Sequence, residues 1–212
     1  MGDEVPDFRA DSTVGTFGYH DMVDGVWSVL VTFPAQFDAV ATTEIGQLSK
    51  LREEFDARNA RVVGLSCTTK QSQRSWIEEI EEIEDCRVNF PLVADADATI
   101  ARRLGLVRHG ATGPANDALI PATLVLIADI DRRIRLSMHY PATSGRNFYE
   151  VLRALDTLQL TLFHQVATPA HWIYGEDVIV QPKLSNVAAR AIFPKGLVES
   201  KPWFRTTPQP DT

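Results

Sequence analysis

Two short apolar runs flank an amphipathic segment in the first third of the chain. Residues 27–33 (WSVLVTF) and 61–66 (RVVGLS) are rich in β-branched and aliphatic side chains and have the length of buried strands. Residues 42–59 begin with Thr-Thr and an early Glu and carry apolar side chains at helical spacing, which predicts a capped amphipathic helix. The order of these segments predicts a strand–helix–strand unit.

Further predicted helices follow along the chain, and after them come a hairpin and a long helix. Residues 71–85 and 98–106 predict two more helices, the second of which ends at a Gly. Residues 122–140 predict a hairpin with a polar turn at 129–133, and residues 145–165 predict a long amphipathic helix. Together these elements indicate an α/β fold, a three-layer sandwich around a mixed central sheet.

The composition changes near residue 165. Beyond that position Pro and aromatic residues become frequent, and short strand-like pieces offer little to fill a second large core. We therefore expect a main domain over residues 1–165 and a C-terminal arm over residues 166–212.

The net charge and the hydropathy of the chain bear on its partners and on its location. The 212 residues carry a formal net charge of -7, which argues against nucleic acid or an anionic membrane surface as a partner. No apolar run approaches the roughly 20 residues that cross a bilayer, and the first residues, MGDEVPDF, lack the apolar stretch of a secretory signal. These features predict a cytoplasmic protein.

Several motifs resemble the peroxiredoxin family, in particular its one-cysteine class with a long C-terminal arm. These motifs are residues 2–8 (GDEVPDF), 32–46 (TFPAQFDAVATTEIG), 140–161 (YPATSGRNFYEVLRALDTLQLT), 166–172 (VATPAHW), 193–196 (FPKG) and 205–210 (RTTPQP). The resemblance implies a thioredoxin-like domain. It also implies a homodimer or a higher homo-oligomer, in which the C-terminal arm crosses to the partner.

The resemblance places the active-site signature of the family at the start of the first predicted helix. That signature is a Pro, three residues, a Thr or Ser, two residues and the peroxidatic Cys, whose thiolate attacks the O–O bond of a peroxide. The three positions hold Pro34, Asp38 and Ala41 here. A helix N-terminus and a nearby Arg lower the pKa of such a Cys, but a methyl group offers no sulfur to activate. The resemblance therefore implies a pocket that lacks its peroxidatic cysteine.

Other positions of the same pocket either depart from the family or match it. Phe33 stands where the one-cysteine class has His, and Thr123 stands where it has the Arg that activates the thiolate. The matching residues are Pro34, Thr42, Glu44 and Arg146. Such a pocket keeps helix N–H groups and one guanidinium, an arrangement that suits an anion or an oxyanion. Its apolar replacements favour an organic ligand over hydrogen peroxide.

Asp38 is the ionisable group that this pocket gains, and two interpretations of it stand side by side. Apolar walls would raise the pKa of its carboxyl and a facing Arg146 would lower it, and in either case Asp38 could act as a general acid or base. Alternatively, Asp38 caps a turn or the helix N-terminus, a role that short acidic residues fill well.

Two functional hypotheses from different classes follow. The first is a cofactor-independent enzyme that acts on a small organic metabolite by proton transfer or electrostatic stabilisation, as in natural-product biosynthesis. Asp38 and Arg146 would be catalytic in it, and the pocket would be lined by Phe33, Pro34, Ala41, Thr42, Glu44 and Thr123. The second is a non-catalytic peroxiredoxin homologue that acts as a binding or regulatory partner, for example in mixed oligomers with an active relative.

The two cysteines raise a third hypothesis, peroxidase activity through one of them, which we favour less. Cys67 follows a predicted core strand and Cys86 lies in a polar segment, and neither has the Pro and Thr spacing of the signature. We expect Cys67 to be a small buried apolar group and Cys86 to be exposed.

Mammalian members of the one-cysteine class also resemble phospholipases through a Ser, His and Asp set. This chain has His20 and Asp131 at the matching positions, but Val26 replaces the Ser nucleophile, so we expect His20 to be a hydrogen-bonded structural residue. The histidines show no zinc-helix spacing, and no Gly-rich phosphate loop follows a strand, so neither a metal nor a cofactor is expected. Pro121 lies where thioredoxin-like folds often place a cis proline.

Overall fold

The computed structural model describes residues 1–107 and 123–211. The chain separates into two compact units, residues 1–148 and residues 149–212. Pro121, the expected cis proline, lies outside the described residues. In the described part of the chain, no helix is both long and apolar enough to cross a membrane.

A seven-stranded sheet organises the first unit, with the strand order β2-β1-β5-β4-β3-β6-β7. Its strands are β1 (Arg9–Ser12), β2 (Gly15–Gly18), β3 (Trp27–Phe33), β4 (Ala60–Ser66), β5 (Leu92–Ala94), β6 (Thr123–Ala128) and β7 (Ile134–Tyr140). The pairs β3–β4 and β4–β5 are parallel, and the other neighbours are antiparallel. The sheet is therefore mixed, as the sequence predicts.

In the described residues of this unit, five helices lie wholly within it. They are α1 (Tyr19–Met22), α2 (Ala39–Lys50), α3 (Arg52–Ala57), α4 (Lys70–Glu84) and α5 (Thr99–Arg103). Every residue of β3 and of β6 is buried, which explains why both strands are near-continuous apolar runs. The core beside them includes Leu30, Val63, Leu65, Leu124 and Leu126.

The predicted helix over residues 42–59 is two helices in the structure, α2 and α3. Leu51 separates them, with a ψ of 11° that departs from helical geometry. The apolar periodicity does not reveal the break, because Leu51 at the break is buried, as are Leu48 before it and Phe55 after it. The helix also starts earlier than predicted, at Ala39, so that Thr42 lies inside the first turns and is not the cap.

Other local predictions are confirmed. The hairpin of β6 and β7 turns at residues 129–133, where the carboxylate of Asp129 accepts hydrogen bonds from the backbone N–H groups of Asp131 and Arg133. Gly105 follows α5 with a φ of 70°, in the left-handed region that favours glycine. The prediction missed β1, β2 and β5, since strands of three or four residues carry too little alternation to be recognised.

The second unit contains a four-stranded antiparallel sheet with the order β10-β11-β9-β8. Its elements are α6 (Phe148–Phe163, which begins at the boundary), β8 (Val166–Ala167), β9 (Val178–Val180), α7 (Asn186–Ile192), β10 (Val198–Lys201) and β11 (Phe204–Thr207). Leu160, Trp172, Val178 and Phe193 belong to its core. In the structure, α6 belongs to the second unit apart from its first residue. The predicted boundary at residue 165 lies after this helix and therefore assigns it to the first domain. The dimerisation role of residues 166–212 stays a prediction.

Candidate functional site

The first turn of α2 is capped by Asp38. The backbone of this residue is extended, and its Oδ1 accepts a hydrogen bond of 2.8 Å from the N–H of Ala41. Its carbonyl oxygen accepts hydrogen bonds from both the N–H and the hydroxyl of Thr42, each at 2.9 Å. The carboxylate thus lies at the positive end of the helix dipole, where a negative charge is stabilising. The capping interpretation of Asp38 matches this geometry.

Ala41, which the family resemblance places at the position of the signature cysteine, is buried. Only 1% of its surface is exposed, and its N–H is taken by Asp38. The loop before it contains Phe37, which has a φ of 56°, a side chain that is largely exposed, and a ring centroid 6.5 Å from that of Trp76. A positive φ in a bulky residue is uncommon and costs backbone energy. The loop therefore keeps a strained backbone next to a methyl group that has no nucleophilic atom.

Arg146 and Glu44 form a buried ion pair inside the first unit. The Nε and the backbone N–H of Arg146 each donate to Oε1 of Glu44 at 2.8 Å, and Nη2 donates to Oε2. Nη1 donates to the carbonyl oxygens of Thr32 at 2.9 Å and Leu124 at 3.1 Å. Both charged side chains are almost fully removed from water, so each depends on the other for compensation.

Asp38 and Arg146, the two residues predicted to be catalytic, have different hydrogen-bond partners. Within residues 1–107 and 123–211, no hydrogen bond or ion pair joins Asp38 to Arg146. A guanidinium has five N–H groups, and the contacts of Arg146 use those of Nε and Nη1 and one of the two on Nη2. One Nη2 N–H is left to meet a further acceptor.

Phe33 packs against the guanidinium of Arg146. Its ring centroid lies 5.1 Å from Cζ of Arg146, and the ring of Phe148 lies 5.9 Å from the same atom. Phe33 ends β3 and is fully buried. An aromatic face near a desolvated cation is attractive, so Phe33 supports the ion pair, and its role in lining a ligand pocket stays a prediction.

Thr123 and Thr42 are both buried and both have hydrogen-bond partners. The hydroxyl of Thr123 donates to the carbonyl oxygen of Tyr140, its partner across β6 and β7. The Oγ1 of Thr42 accepts a hydrogen bond of 3.0 Å from the indole N–H of Trp76 on α4. Sequence reasoning missed Trp76, because only the folded chain brings it beside α2.

Neither cysteine belongs to α2, and burial disfavours the thiolate form of both. Burial, followed by the nearby carboxylate of Asp95, raises the pKa of the Cys67 thiol to about 12. Burial also raises the pKa of the Cys86 thiol, at the end of α4. The thiolate is the reactive form, and a raised pKa makes it scarce. Both cysteines are partly buried, so Cys67 is less buried and Cys86 less exposed than the sequence predicts.

His20 has the structural role that the sequence predicts. Its Nε2 lies 2.8 Å from the carbonyl oxygen of Val5, and its Nδ1 lies 3.9 Å from a carboxylate oxygen of Glu4. Val26 supplies no hydroxyl for acyl transfer. In the part of the chain that the structure describes, no group of three or more His, Cys, Asp or Glu residues is placed to hold a metal ion.

Comparison with known proteins finds relatives over the whole chain. The sequence model of the AhpC/TSA family matches residues 1–182. The 1-Cys peroxiredoxin of Dictyostelium discoideum is 37% identical over 211 residues, which cover 100% of this chain and 86% of the relative. Peroxiredoxin-6 of Gallus gallus is 38% identical over 222 residues, which cover 100% of this chain and 98% of the relative.

Solved structures agree with these similarities. A yeast mitochondrial 1-Cys peroxiredoxin superposes with a TM-score of 0.92 at 38% identity, covering 98% of each chain. A cysteine-to-serine mutant of Peroxiredoxin 6 from Arenicola marina gives a TM-score of 0.90 at 35% identity, covering 100% of this chain and 99% of that one. The predicted α/β, thioredoxin-like fold with a mixed central sheet is confirmed.

Proposed function

This chain belongs to the AhpC/TSA family, and we propose that it lacks a peroxidatic thiol at α2 and acts as a binding or regulatory protein. The observation that carries the proposal is the first turn of α2. Ala41 stands where the family resemblance places the signature cysteine, and its N–H is paired with the carboxylate of Asp38.

The charged groups of the site favour a structural role over catalysis. A thiol peroxidase needs positive potential around its sulfur to stabilise the thiolate. Here the helix N-terminus is neutralised by Asp38, and the charge of Arg146 is compensated by Glu44. Thr123 stands where the family resemblance places the Arg that activates the thiolate, and its hydroxyl donates to a carbonyl oxygen within the sheet. The charge of Arg146 and the N–H of Ala41 are thus each already paired with a carboxylate of the same chain.

The relatives named as 1-Cys peroxiredoxins suggest the opposite function, ordinary peroxidase activity, for which this chain would have to use Cys67 or Cys86. The raised pKa values of both thiols argue against that use. Stopped-flow measurement of peroxide consumption separates the two possibilities. We expect the native protein to consume peroxide no faster than the Cys67→Ser/Cys86→Ser double variant. A fast native reaction that either single Cys→Ser variant abolishes would refute the proposal.

A second set of variants tests whether Ala41 and Asp38 account for the proposed absence of thiol peroxidase activity. In the background without native cysteines, Ala41→Cys introduces a thiol at the helix start, beside the Asp38 carboxylate. Because a neighbouring negative charge opposes thiolate formation, we expect Ala41→Cys alone to react slowly and Ala41→Cys/Asp38→Thr to react faster. The opposite order would show that Asp38 does not oppose a thiolate there.

One observation favours the second candidate function, a cofactor-independent enzyme acting on a small organic metabolite. Only Oδ1 of Asp38 accepts a hydrogen bond within the described residues, and the side chain is half-buried, so Oδ2 is available as a proton acceptor. The test compares metabolite extracts incubated with the native protein and with Asp38→Asn, which preserves a cap but removes the base. A compound consumed by the native protein alone would establish the enzyme and displace the binding role. Identical extracts would leave the binding role as the better account.

A further inference from the structure

The second unit contains a cleft that no part of the α2 site touches. Its volume is about 240 Å³. The apolar walls come from Ile192 and Phe193 and from three prolines, Pro194, Pro208 and Pro210. The side chain of Lys195 lies on the same wall. The motifs FPKG and RTTPQP, which resemble the family arm but have no role in the α2 site, thus supply most of this cleft.

The wall that carries Lys195 is held in place at both ends. The N–H of Gly196 donates to the carbonyl oxygen of Phe193 at 3.2 Å and closes a tight turn around Lys195. Gly196 has a φ of 126°, which a side chain would disfavour. The hydroxyl of Thr207 on β11 donates to the carbonyl oxygen of Gly196 at 2.7 Å. The turn is therefore fixed to the sheet.

The opposite wall is a segment with little conformational freedom. Pro208 and Pro210 fix their own φ angles. Gln209 between them is largely buried, and its side-chain oxygen accepts a hydrogen bond from the N–H of Gly175. Both walls are thus formed before any ligand arrives, which lowers the entropic cost of binding.

The cation of the cleft already binds a carboxylate. The Nζ of Lys195 donates to the carbonyl oxygen of Gln209 at 3.1 Å and pairs with the carboxylate of Asp211. The side chain of Asp211 is 90% exposed and that of Lys195 is 42% exposed. A pair so open to water is only weakly stabilising, so another carboxylate can take the place of Asp211 at little cost.

We propose that this cleft binds a small carboxylic acid with an apolar body. The acid replaces Asp211 at the ammonium of Lys195, and its body lies against Phe193 and the proline walls. The volume is below the roughly 300–1,000 Å³ of drug-sized pockets, which favours an acid of the size of benzoate over a nucleotide. The proposal uses no residue of the α2 site and does not depend on the function proposed above.

Titration of the full-length protein with benzoate tests the site, using calorimetry for affinity and amide NMR shifts for location. We expect saturable binding, with shifts confined to the turn at residues 193–196 and to residues 207–211. Lys195→Met should weaken binding about tenfold or more, because a charge-assisted hydrogen bond is lost. Lys183→Met, at an exposed lysine outside the cleft, should bind like the native protein. Benzyl alcohol, which lacks the charge, should bind about tenfold more weakly than benzoate.

Asp211→Asn gives the sharpest readout, because it should change affinity in the opposite direction. Removing the competing carboxylate should tighten benzoate binding by about two- to fivefold. A variant that merely misfolds cannot bind more tightly, so this gain separates the proposal from a loss of structure.

Three outcomes would overturn the proposal. They are the absence of saturable binding, equal affinity of Lys195→Met and the native protein, and unchanged or weaker binding by Asp211→Asn. Light scattering of Ile192→Asp identifies the alternative occupant. If the native protein binds no benzoate and Ile192→Asp differs from it in mass, the cleft is a contact between copies of the chain.

Discussion

The carboxylate of Glu44 and the guanidinium of Arg146 form a buried ion pair between residues that are 102 positions apart in the sequence. The pair joins α2 to the segment before α6, and Arg146 also bonds the carbonyl oxygens of Thr32 and Leu124. This single side chain therefore connects a helix and two neighbouring strands at the site.

Removing one partner of this pair should strongly destabilise the first unit. Glu44→Gln and Arg146→Met should each cost about 3–5 kcal/mol of unfolding free energy, because each leaves an uncompensated polar group away from water. Urea denaturation measures the loss. Lys50→Met is the matched control, since Lys50 pairs with Glu84 at 3.2 Å near the surface and should cost no more than about 1 kcal/mol. Equal losses in Glu44→Gln and Lys50→Met would contradict a structural role for the buried pair.

Loss of the α2 cap should have a smaller effect. Asp38→Ala should destabilise the protein by about 0.5–2 kcal/mol, because the N–H of Ala41 loses its acceptor. Asp38→Ser and Asp38→Asn should stay close to the native stability, since Ser and Asn are also favoured caps. Thermal or urea unfolding of the three variants gives the comparison. If Asp38→Ala is as stable as the native protein, the hydrogen bond to Ala41 contributes nothing.

The Cys67 thiol should react with alkylating agents as a group whose pKa is raised by partial burial. Alkylation of Cys67 in a Cys86→Ser background should be slow at pH 7 and should rise about tenfold per pH unit up to pH 10, since the pKa of this thiol is about 12. The unfolded chain in urea is the control, and its alkylation rate should level off above the ordinary thiol pKa of about 8.5. A plateau near pH 8.5 in the folded protein would show that Cys67 is an ordinary exposed thiol.

Tyr19 should make the fold sensitive to alkali. It is fully buried, its hydroxyl donates to Ser28 at 2.9 Å, and burial raises its pKa to about 12. Since the pKa in the unfolded chain is about 10, the contribution of Tyr19 to stability is complete below pH 10 and is lost as the pH rises from 10 towards 12.

Two substitutions separate the titration of Tyr19 from its hydrogen bond. Tyr19→Phe should lower stability at pH 7 by about 0.5–1.5 kcal/mol but should flatten the loss between pH 10 and 12. Ser28→Ala removes the hydrogen bond and keeps the phenol, so it should retain the alkaline loss. Unfolding free energies at pH 7, 10 and 11.5 measure both effects. An equally steep alkaline loss in Tyr19→Phe would assign it to other groups.

The sequence predicts the fold well because its main elements have strong local patterns. β3 and β4 are apolar runs, and the turn between β6 and β7 carries Asp and Arg residues that only a polar turn explains. The break at Leu51 is hidden, since its side chain continues the apolar stripe of the predicted single helix. Periodicity reports which face is buried, and it does not report whether the backbone stays helical.

The site is less predictable than the fold, because its geometry depends on contacts between distant residues. The composition around Asp38 is compatible with both a cap and a catalytic base, and the structure supplies the hydrogen bond to Ala41 that identifies the cap. The motif that contains Arg146 gives no indication that Glu44 compensates its charge. Thr42 and Trp76 meet across α2 and α4, a contact that neither segment reveals alone.

The cap on α2 also has a consequence for how the protein responds to oxidants. A cysteine at a helix start can gain and lose negative charge, since its thiolate is protonated at low pH and is consumed when it is oxidised to sulfenic acid or a disulfide. Asp38 has no sulfur to oxidise, so the cap that it places on α2 takes no part in redox chemistry. The first turn of α2 should therefore keep the same hydrogen bonds in an oxidising and in a reducing environment.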